Sequence, residues 1–483
     1  MAAQDVNITI EDGALGVLPP AALPMTVKIG CSTAGAVLTP LVTTDPKEII
    51  STYGEGPLVQ GALFELALTG APIMVIRSTT GTPGSSGTLT FSGTGTSVVT
   101  KSGNPADKYG VIFEVVTGGT IGVAGITWKV SLDNGQTYGP VKPLGVANTL
   151  LLTTASGAST GVTLNFAAGT LVAGDKVDFQ CVAPVSSASD VALGMQAVID
   201  SDYEVDHWHV LQISNASDCT TYTLKTTAAA SAFRYLYGLY ESRDLSSGES
   251  LATWKAALIS DFSAFADLRS SIAAGYYLTT SPLDGNKIRR SLAWTASARS
   301  INIAIARELG AVVDGSLKGI EGPKDDGNIY YDERTSPGLD AARFMVARTL
   351  IGKKGYFVMN SNIMCQPGSD FDIIPNRRVM DKACSTTHFV CLDYLNLDVR
   401  VNPETGFILE KDRVDVQNRI KQALVDTLVS TGNASSVSVI VAGNDNILST
   451  RTLTVTIRIV PLGYIKSISI TIGFSNPANQ VAA

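Results

Sequence analysis

The sequence predicts an α/β (α+β) core that carries an inserted all-β, sandwich-like domain and ends in extended N- and C-terminal strand arms. Three observations support this prediction. Apolar and polar residues alternate at both chain ends, as in strands with one buried face. Short strand and helix patterns alternate along much of the 483 residues. Between them, a stretch rich in Gly, Thr, Ser and Val contains no Arg from residue 78 to residue 233.

The N-terminal arm is predicted at residues 1–20. Val6, Ile8 and Ile10 alternate with polar residues there, ahead of a segment that Gly and Pro interrupt. This pattern predicts a short strand followed by an extended connection.

Residues 21–81 are predicted to begin the α/β core. Asp45 before Pro46 indicates a helix start, with a capping side chain ahead of a first-turn proline. A second helix is expected over residues 57–68, with Gly70 as its stop. The continuous apolar run at residues 72–76 is typical of a buried strand.

Residues 82–185 are predicted to form a self-contained all-β domain. Short alternating runs such as VIFEVV and VTLNF are separated by turn signals, of which Asp133-Asn134-Gly135 is the clearest. No helix pattern occurs in this stretch. The composition change at its start therefore predicts a small sandwich inserted between strands of the core.

Residues 186–461 are predicted to complete the core and to include a C-terminal subdomain. Helices are expected over residues 287–309, 341–351 and 415–429, and a strand over residues 356–359. The helix over 415–429 has one apolar face, and Gly432 follows it as a stop. A strand is then expected from its alternating residues, which are Leu453, Val455, Ile457 and Ile459.

The C-terminal arm is predicted at residues 462–483. Its alternating apolar residues are Ile468, Ile470, Ile472 and Phe474. A strand this regular at a chain terminus either closes its own sheet or pairs with a neighbour. With arms at both ends, the chain is predicted to link to copies of itself.

Composition excludes several classes of function. The net charge of −7 and the pI near 5.1 argue against a nucleic-acid-binding protein, which needs a basic face. We expect no membrane insertion, because no apolar run reaches about 18 residues. The N-terminus lacks the features of a signal peptide. The 6 scattered cysteines are typical of reduced, mostly buried thiols in a cytoplasmic product.

Motifs of enzymes and metal sites are weak in this chain. Residues 157–161 match GxSxG, but a strand pattern follows instead of the helix that a nucleophile elbow needs. His207 and His209 have metal-ligand spacing without a clear third ligand. Residues 200–211 fail the calcium-loop pattern at its Gly and Glu positions, and no phosphate-binding Gly-rich loop occurs. We therefore expect no catalytic residues, no metal and no cofactor.

The C-terminal part resembles a contractile tail sheath protein of a bacteriophage (myovirus-type) or of a related contractile injection system. The resemblance covers about residues 340–475. It rests on GYFVMN at 355–360, MCQPGSDF at 364–371, the helix that begins NRRVMD at 376, and the ending PLGYIKSISITIGF.

This resemblance implies a structural subunit of a virion tail that assembles in the cytoplasm of the bacterial host. Copies would form hexameric rings stacked helically around an inner tail tube, between baseplate and tail terminator proteins. Contraction of this sleeve would drive the tube through the target cell envelope for host cell entry and genome ejection. The inserted domain would then face outward.

The resemblance also implies roles for individual residues. Val6, Ile8 and Ile10 would form a donated strand, while residues 468–474 would form the C-terminal strand of the linking sheet, with residues 453–459 as its in-domain partner. The helix over 415–429 would face the tube, with Arg419, Lys421 and Asp426 as contacts.

Two other classes of function remain as alternatives. A surface adhesin would bind glycans through the inserted domain and would be a soluble monomer. A hydrolase built on the α/β core would depend on Ser159 or His207 for turnover.

Overall fold

The computed structural model describes residues 25–321 and 330–474. The predicted N-terminal strand residues Val6, Ile8 and Ile10 lie outside the described residues. The chain divides into two compact units, Met1–Leu392 and Asp393–Ala483.

The first unit begins with an α/β segment, as the sequence predicts. Asp45 caps the first helix by accepting a hydrogen bond from Lys47 N at 2.9 Å, and Gly70 ends the second in the left-handed conformation (φ 64°). The elements are β1 (Thr26–Gly30), β2 (Leu41–Thr43), α1 (Pro46–Tyr53), α2 (Pro57–Thr69) and β3 (Ile73–Arg77).

Residues 82–185, all of which are described, then form strands and no helix. The elements are β4 (Ser85–Ser86), β5 (Thr90–Ser92), β6 (Val99–Ser102), β7 (Tyr109–Thr117), β8 (Gly119–Thr120), β9 (Thr127–Ser131), β10 (Lys142–Pro143), β11 (Thr149–Thr153), β12 (Ser159–Phe166), β13 (Thr170–Leu171) and β14 (Lys176–Val182). One sheet has the order β10-β9-β7-β14-β4, with β5 also on β14, and another has the order β11-β12-β6.

This all-β stretch has its own apolar core. Phe113 stacks on Trp128 with ring centroids 5.6 Å apart and also packs on Phe166 of the second sheet. Where the stretch leaves and rejoins the core, Thr82 and Val185 exchange two backbone hydrogen bonds of 2.9 and 3.0 Å. The two ends of the stretch therefore meet.

The rest of the first unit returns to the α/β pattern. Its elements are α3 (Ala188–Ile199), β15 (His207–Ile213), α4 (Ala216–Ser231), β16 (Tyr237–Glu241), α5 (Leu251–Asp261), β17 (Ser270–Ala273), β18 (Tyr276–Thr280), β19 (Lys287–Ser291), α6 (Leu292–Ile301), a 3-10 turn (Val312–Asp314), β20 (Ala347–Leu350), β21 (Lys353–Val358) and α7 (Ile374–Leu392).

A six-stranded sheet organises this unit, in the order β17-β16-β15-β1-β3-β2. Its strands run parallel except β2, which is antiparallel to β3. Apolar residues of α3, α4 and α5 form one cluster with alternate residues of the sheet. On the other face, α2 and α6 pack together through Phe64 and Trp294, whose ring centroids lie 5.7 Å apart. The sheet is thus covered on both faces, as is usual for parallel strands.

Two helix predictions are wrong because strand pairing overrides the local pattern. In the predicted helix 287–309, Lys287–Ser291 is β19, which pairs with β18, and only Leu292–Ile301 is helical. In the predicted helix 341–351, Ala347–Leu350 is β20, which pairs with β21. The strand predicted over 356–359 lies mostly within β21.

The second unit combines a helix with a two-stranded hairpin. Its elements are α8 (Glu410–Leu424), a π-helical turn (Val425–Val429), β22 (Ser436–Val441), the short α9 (Ile447–Thr450) and β23 (Val455–Val460). The helix predicted over 415–429 is therefore confirmed, although it begins five residues earlier, and its last turn is wider. Gly432 follows in the left-handed conformation (φ 73°).

Candidate functional site

The hairpin of the second unit has one face packed on a helix and two open edges. β22 and β23 are antiparallel, with Val437 opposite Ile459, and Val439 opposite Ile457. The valines are buried under α8, and the facing isoleucines are half-buried. In the part of the chain that the structure describes, each strand pairs only with the other. Apart from Val441, whose N–H and C=O bond to the side chains of Gln417 and Arg413, the outer edges therefore present backbone N–H and C=O groups that no strand pairs.

The chain after β23 exposes apolar side chains. Pro461 ends the strand, and residues 461–474 form neither helix nor strand. The side chains of Ile468, Ile470 and Ile472 are between 73% and 91% exposed, and that of Phe474 is fully exposed. Soluble chains rarely leave a run of large apolar residues in water, so this segment has the character of a binding element.

The sequence predicts residues 453–459 as the in-domain partner of residues 468–474 in a linking sheet, and within the described part of one chain the two segments do not pair. The strand itself is confirmed as β23, with Leu453 just before it, and Val455, Ile457 and Ile459 on the half-buried face. However, its partner is β22. β22 already occupies one edge of β23, and Pro461 interrupts the backbone before residue 468.

The three charged residues predicted on the long helix lie on its outer face. Val416, Ile420, Leu424 and Leu428 are buried on the opposite face. Arg419 Nη2 lies 3.5 Å from Asp393 Oδ2, Asp426 accepts a hydrogen bond from Gln422, and Lys421 is exposed. The structure thus leaves Arg419, Lys421 and Asp426 accessible to a partner.

The GxSxG match is not a nucleophile elbow. Ser159 is the first residue of β12, and its hydroxyl accepts a hydrogen bond from Gly161 N at 3.1 Å. A nucleophile elbow instead requires a sharp turn from a strand into a helix. The geometry therefore gives Ser159 no catalytic arrangement.

His207 and His209 belong to a buried polar network between the central sheet and its helices. Lys28 Nζ lies 2.5 Å from Glu65 Oε2, 2.8 Å from Ser297 Oγ and 2.9 Å from His209 Nδ1. Glu65 also accepts a hydrogen bond from Thr26. Each of these groups is buried and has a partner, which offsets the cost of removing charge from water.

This network contains a serine, a histidine and an aspartate in the order of a catalytic triad. His207 Nε2 lies 2.8 Å from Ser297 Oγ, and His207 Nδ1 lies 2.9 Å from Asp206 Oδ2. The Ser297 hydroxyl, however, donates a hydrogen bond of 2.6 Å to Glu65 Oε2. Ser297 and His207 are both completely buried, so a substrate has no access to them in this conformation.

Burial and charge shift the pKa values of this network in different directions. Burial lowers the pKa of Lys28, despite the attraction of Glu65. Burial opposes ionisation of Glu65, but Lys28 and His207 hold its pKa below the usual value. Burial and the nearby Lys28 lower the pKa of His209 well below 6.5, whereas burial raises the pKa of Glu241 to about 7.

The described residues contain no group of three or more His, Cys, Asp or Glu side chains placed to hold a metal ion. No helix in the described part of the chain has the length and apolar character to span a membrane.

Sequence patterns miss the buried network because its members are far apart in the chain. The only signal is the pair of histidines in a strand, and Lys28 within the apolar strand β1. The alternation of residues in one strand also does not predict which strands pair, so it cannot show that the edges of this hairpin are open. By contrast, the apolar alternation of residues 468–474 is visible in the sequence alone.

Two family profiles match almost the whole chain. The profile described as DUF2586, N-terminal domain, matches residues 3–362, and the profile described as DUF2586, C-terminal domain, matches residues 370–479. No curated protein matches the chain in sequence.

Several solved structures are similar to this chain. A sheath tail protein from Listeria innocua has 11% sequence identity and a TM-score of 0.48, over 92% of this chain and 96% of that protein. A sheath tail protein from Desulfitobacterium hafniense has 10% identity and a TM-score of 0.47, over 95% of this chain and 100% of that one. A chain of the anti-feeding prophage baseplate has 10% identity and a TM-score of 0.42, over 61% of this chain and 76% of that chain.

Proposed function

The chain belongs to the DUF2586 family, and we propose that it is a structural tail sheath subunit that polymerises into a helical sleeve around an inner tube. Contraction of the sleeve drives the tube through the envelope of the target cell. The subunits form hexameric rings stacked helically between baseplate and tail terminator proteins in the tail of a bacteriophage or related particle.

One observation carries this proposal: residues 468–474 alternate like a strand, expose their apolar side chains and have no strand partner within the described chain. The same unit offers two unpaired strand edges at β22 and β23. An exposed strand-like segment and an open edge in one chain are complementary between copies, and pairing them is strand addition.

The energetics favour this pairing between subunits. Burying a large apolar side chain contributes about 1.5–3 kcal/mol, and each backbone hydrogen bond contributes about 1 kcal/mol. The four side chains of Ile468, Ile470, Ile472 and Phe474 would together contribute several kcal/mol to each link. Because the arms are tethers, such links persist while the compact units slide and repack during contraction.

Other parts of the molecule have distinct roles in this proposal. Val6, Ile8 and Ile10 form the second donated strand. The outer face of α8, with Arg419 and Lys421, and of the π-helical turn after it, with Asp426, contacts the inner tube. The stretch 82–185 is the inserted domain on the outside of the sleeve. In this proposal the energy of contraction comes from the difference between two sets of subunit contacts. The subunit therefore needs no catalytic site and is not an enzyme.

Electron microscopy of the purified chain tests the proposal. We expect tubes or stacked rings from the full chain, in the presence of its inner tube if assembly needs a template. We expect a variant that lacks residues 462–483 to form neither tubes nor rings. Circular dichroism should show that this variant is still folded. A variant that lacks residues 1–12 is expected to behave in the same way.

Two outcomes would contradict the proposal. Tubes of normal appearance from either truncated variant would show that the arms do not link subunits. A full chain that stays monomeric with tube and baseplate present would reject the sheath function itself.

A further inference from the structure

A polar cleft lies in the first unit, where the all-β stretch meets the hairpin β18–β19. Side chains from both parts line it, among them Lys108, Asn134, Gln136 and Gln180 from the all-β stretch, and Lys287 and Arg289 from β19. The cleft opens to solvent. Its lining is thus accessible, unlike the buried network around Lys28.

Lys108 is the cation in this cleft whose charge is least satisfied. Within the described chain its ammonium group makes no hydrogen bond; its contacts are Asp244 Oδ2, 3.8 Å away, and the face of the Tyr276 ring, whose centroid is 5.6 Å away. Both oxygens of Asp244 already accept hydrogen bonds from Arg289, at 2.9 and 3.2 Å. Both oxygens of Asp107, the preceding residue, accept hydrogen bonds from Arg290, at 2.6 and 3.1 Å.

Two cations, Arg289 and Arg290, repel the charge of Lys108, and two carboxylates, Asp244 and Asp107, attract it. Burial lowers the pKa of Lys108, and repulsion from Arg290 and Arg289 lowers it further against the attraction of Asp244. An anion beside the ammonium group would relieve this repulsion and supply a charge-assisted hydrogen bond.

The other charges of the cleft are already paired. Lys287 Nζ lies 3.0 Å from Glu321 Oε2. Asp133 accepts hydrogen bonds within its own turn, from Ser131 and Thr137, and another from Lys287 N at 3.0 Å. These groups fix the shape of the cleft and leave Lys108 as its anion-binding group.

Three amide side chains provide neutral hydrogen-bonding groups at the same place. Gln180 Nε2 donates to Asn134 Oδ1 at 2.6 Å, which leaves the Asn134 NH₂ group to act as a donor elsewhere. A Cβ atom at Gly110 would lie 2.2 Å from Asn134 Oδ1. The absence of a side chain at Gly110 therefore leaves room for the Asn134 amide. Gln136 is exposed at the rim.

We propose that this cleft binds the carboxylate of an acidic sugar, with Lys108 as the anion-binding group and the amides of Asn134, Gln136 and Gln180 as partners of the ring hydroxyls. Amides both donate and accept, as hydroxyls do, whereas a simple anion would use only the donors. Such a site would allow the particle to contact an acidic polysaccharide at a cell surface.

Isothermal titration calorimetry of the full chain with glucuronic acid, at pH 7 and low salt, tests this inference. We expect saturable binding with a Kd of about 1 mM. Glucose, which lacks the carboxylate, should bind at least about 10-fold more weakly, because a hydrogen bond to a charged group is lost. Acetate, which lacks the hydroxyls, should also bind at least about 10-fold more weakly.

Variants identify the cleft as the site. Lys108→Gln should weaken glucuronic acid binding by about 10-fold or more. Gln136→Ala, which changes only an exposed side chain, should weaken it by about 3-fold. Lys142→Gln, at an exposed lysine of the edge strand β10, should leave it unchanged.

Several results would overturn the inference. One is the absence of saturable binding to the unmodified chain, and another is equal binding of glucose and glucuronic acid. Equal binding of acetate would make the cleft a general anion site and reject the sugar. An unchanged Kd in both Lys108→Gln and Gln136→Ala would place the site elsewhere. None of these results depends on whether the chain forms tubes.

Discussion

At the scale of single residues, the buried network around the central sheet makes the stability of the fold depend on pH. His209 Nδ1 lies 2.9 Å from the Lys28 ammonium group, and His209 Nε2 lies 3.1 Å from Glu241 Oε1. An ammonium group can only donate hydrogen bonds, so His209 Nδ1 is the acceptor. The hydrogen of His209 is then on Nε2, which donates a hydrogen bond to Glu241. The arrangement fits a neutral His209, in agreement with its lowered pKa.

Glu241 and His209 affect stability in opposite directions. The pKa of Glu241 is about 7 in the folded chain and near 4.5 when unfolded. The contribution of Glu241 to the unfolding free energy is therefore fully present below pH 4.5 and is lost as the pH rises through about 7. The pKa of His209 is lowered in the folded chain, so its contribution is present above pH 6.5 and is lost as the pH falls.

We therefore expect Glu241→Gln to gain stability relative to the unmodified protein as the pH is raised from 5 to 8. The amide keeps an oxygen to accept the hydrogen bond from Trp294 Nε1, now 2.8 Å long, and it does not ionise. Urea unfolding at both pH values measures the difference in unfolding free energy, which should change by a few kcal/mol. A difference that stays constant between pH 5 and pH 8 would contradict the raised pKa.

At the scale of elements, a buried ion pair joins the all-β stretch to the α/β core. Asp107, just before β7, forms two hydrogen bonds with Arg290 of β19, and their side chains are 1% and 10% exposed. The Arg290 guanidinium group also lies 4.7 Å from the Trp294 ring centroid.

Asp107→Ala should therefore destabilise the first unit by about 3–5 kcal/mol, because it leaves a guanidinium group buried without its carboxylate. Asp314→Ala is the matched control, since it removes the exposed partner of Arg307 and should cost less than about 1 kcal/mol. Chemical unfolding of the two variants gives the comparison. Equal losses in both would mean that the buried pair does not hold the two parts together.

Several elements were predictable from the sequence, and their signals are local. The caps of α1 and α2, the apolar face of α8, the alternation in β23 and the all-β character of residues 82–185 each depend on neighbouring residues. The Asp133-Asn134-Gly135 turn is also confirmed, with φ of 56° at Asn134 and 83° at Gly135.

Elements defined by distant partners were not predictable. Lys287–Ser291 and Ala347–Leu350 are strands because β18 and β21 pair with them, and neither partner is part of the local pattern. The same reason applies to the candidate sites. The cleft at Lys108 combines residues from positions 108 to 289, and the open edges of β22 and β23 exist only in the folded hairpin.

At the scale of the whole molecule, the exposed C-terminal segment makes self-assembly testable by single side chains. Ile470 and Ile472 lie on the alternating apolar face of residues 468–474, while Ser469 and Thr471 alternate with them. Ile470→Asp with Ile472→Asp should abolish tubes, because two charges would have to be buried in the pairing.

The matched control places the same charges on the other face. Ser469→Asp with Thr471→Asp should still form tubes, because strand pairing leaves that face towards solvent. Electron microscopy and sedimentation distinguish the two double variants. If both lose assembly, the loss reflects charge on the tail, and the alternating apolar face is not what links subunits.

The meeting of Thr82 and Val185 has a consequence for how this protein can change. Because the backbone leaves and returns at one place, the separation of the two junctions does not depend on how many residues lie between them. Surface segments with adjacent ends tolerate insertion and replacement well. The core could thus exchange this stretch for a shorter or longer one in a single recombination event, provided that Arg290 received a new carboxylate.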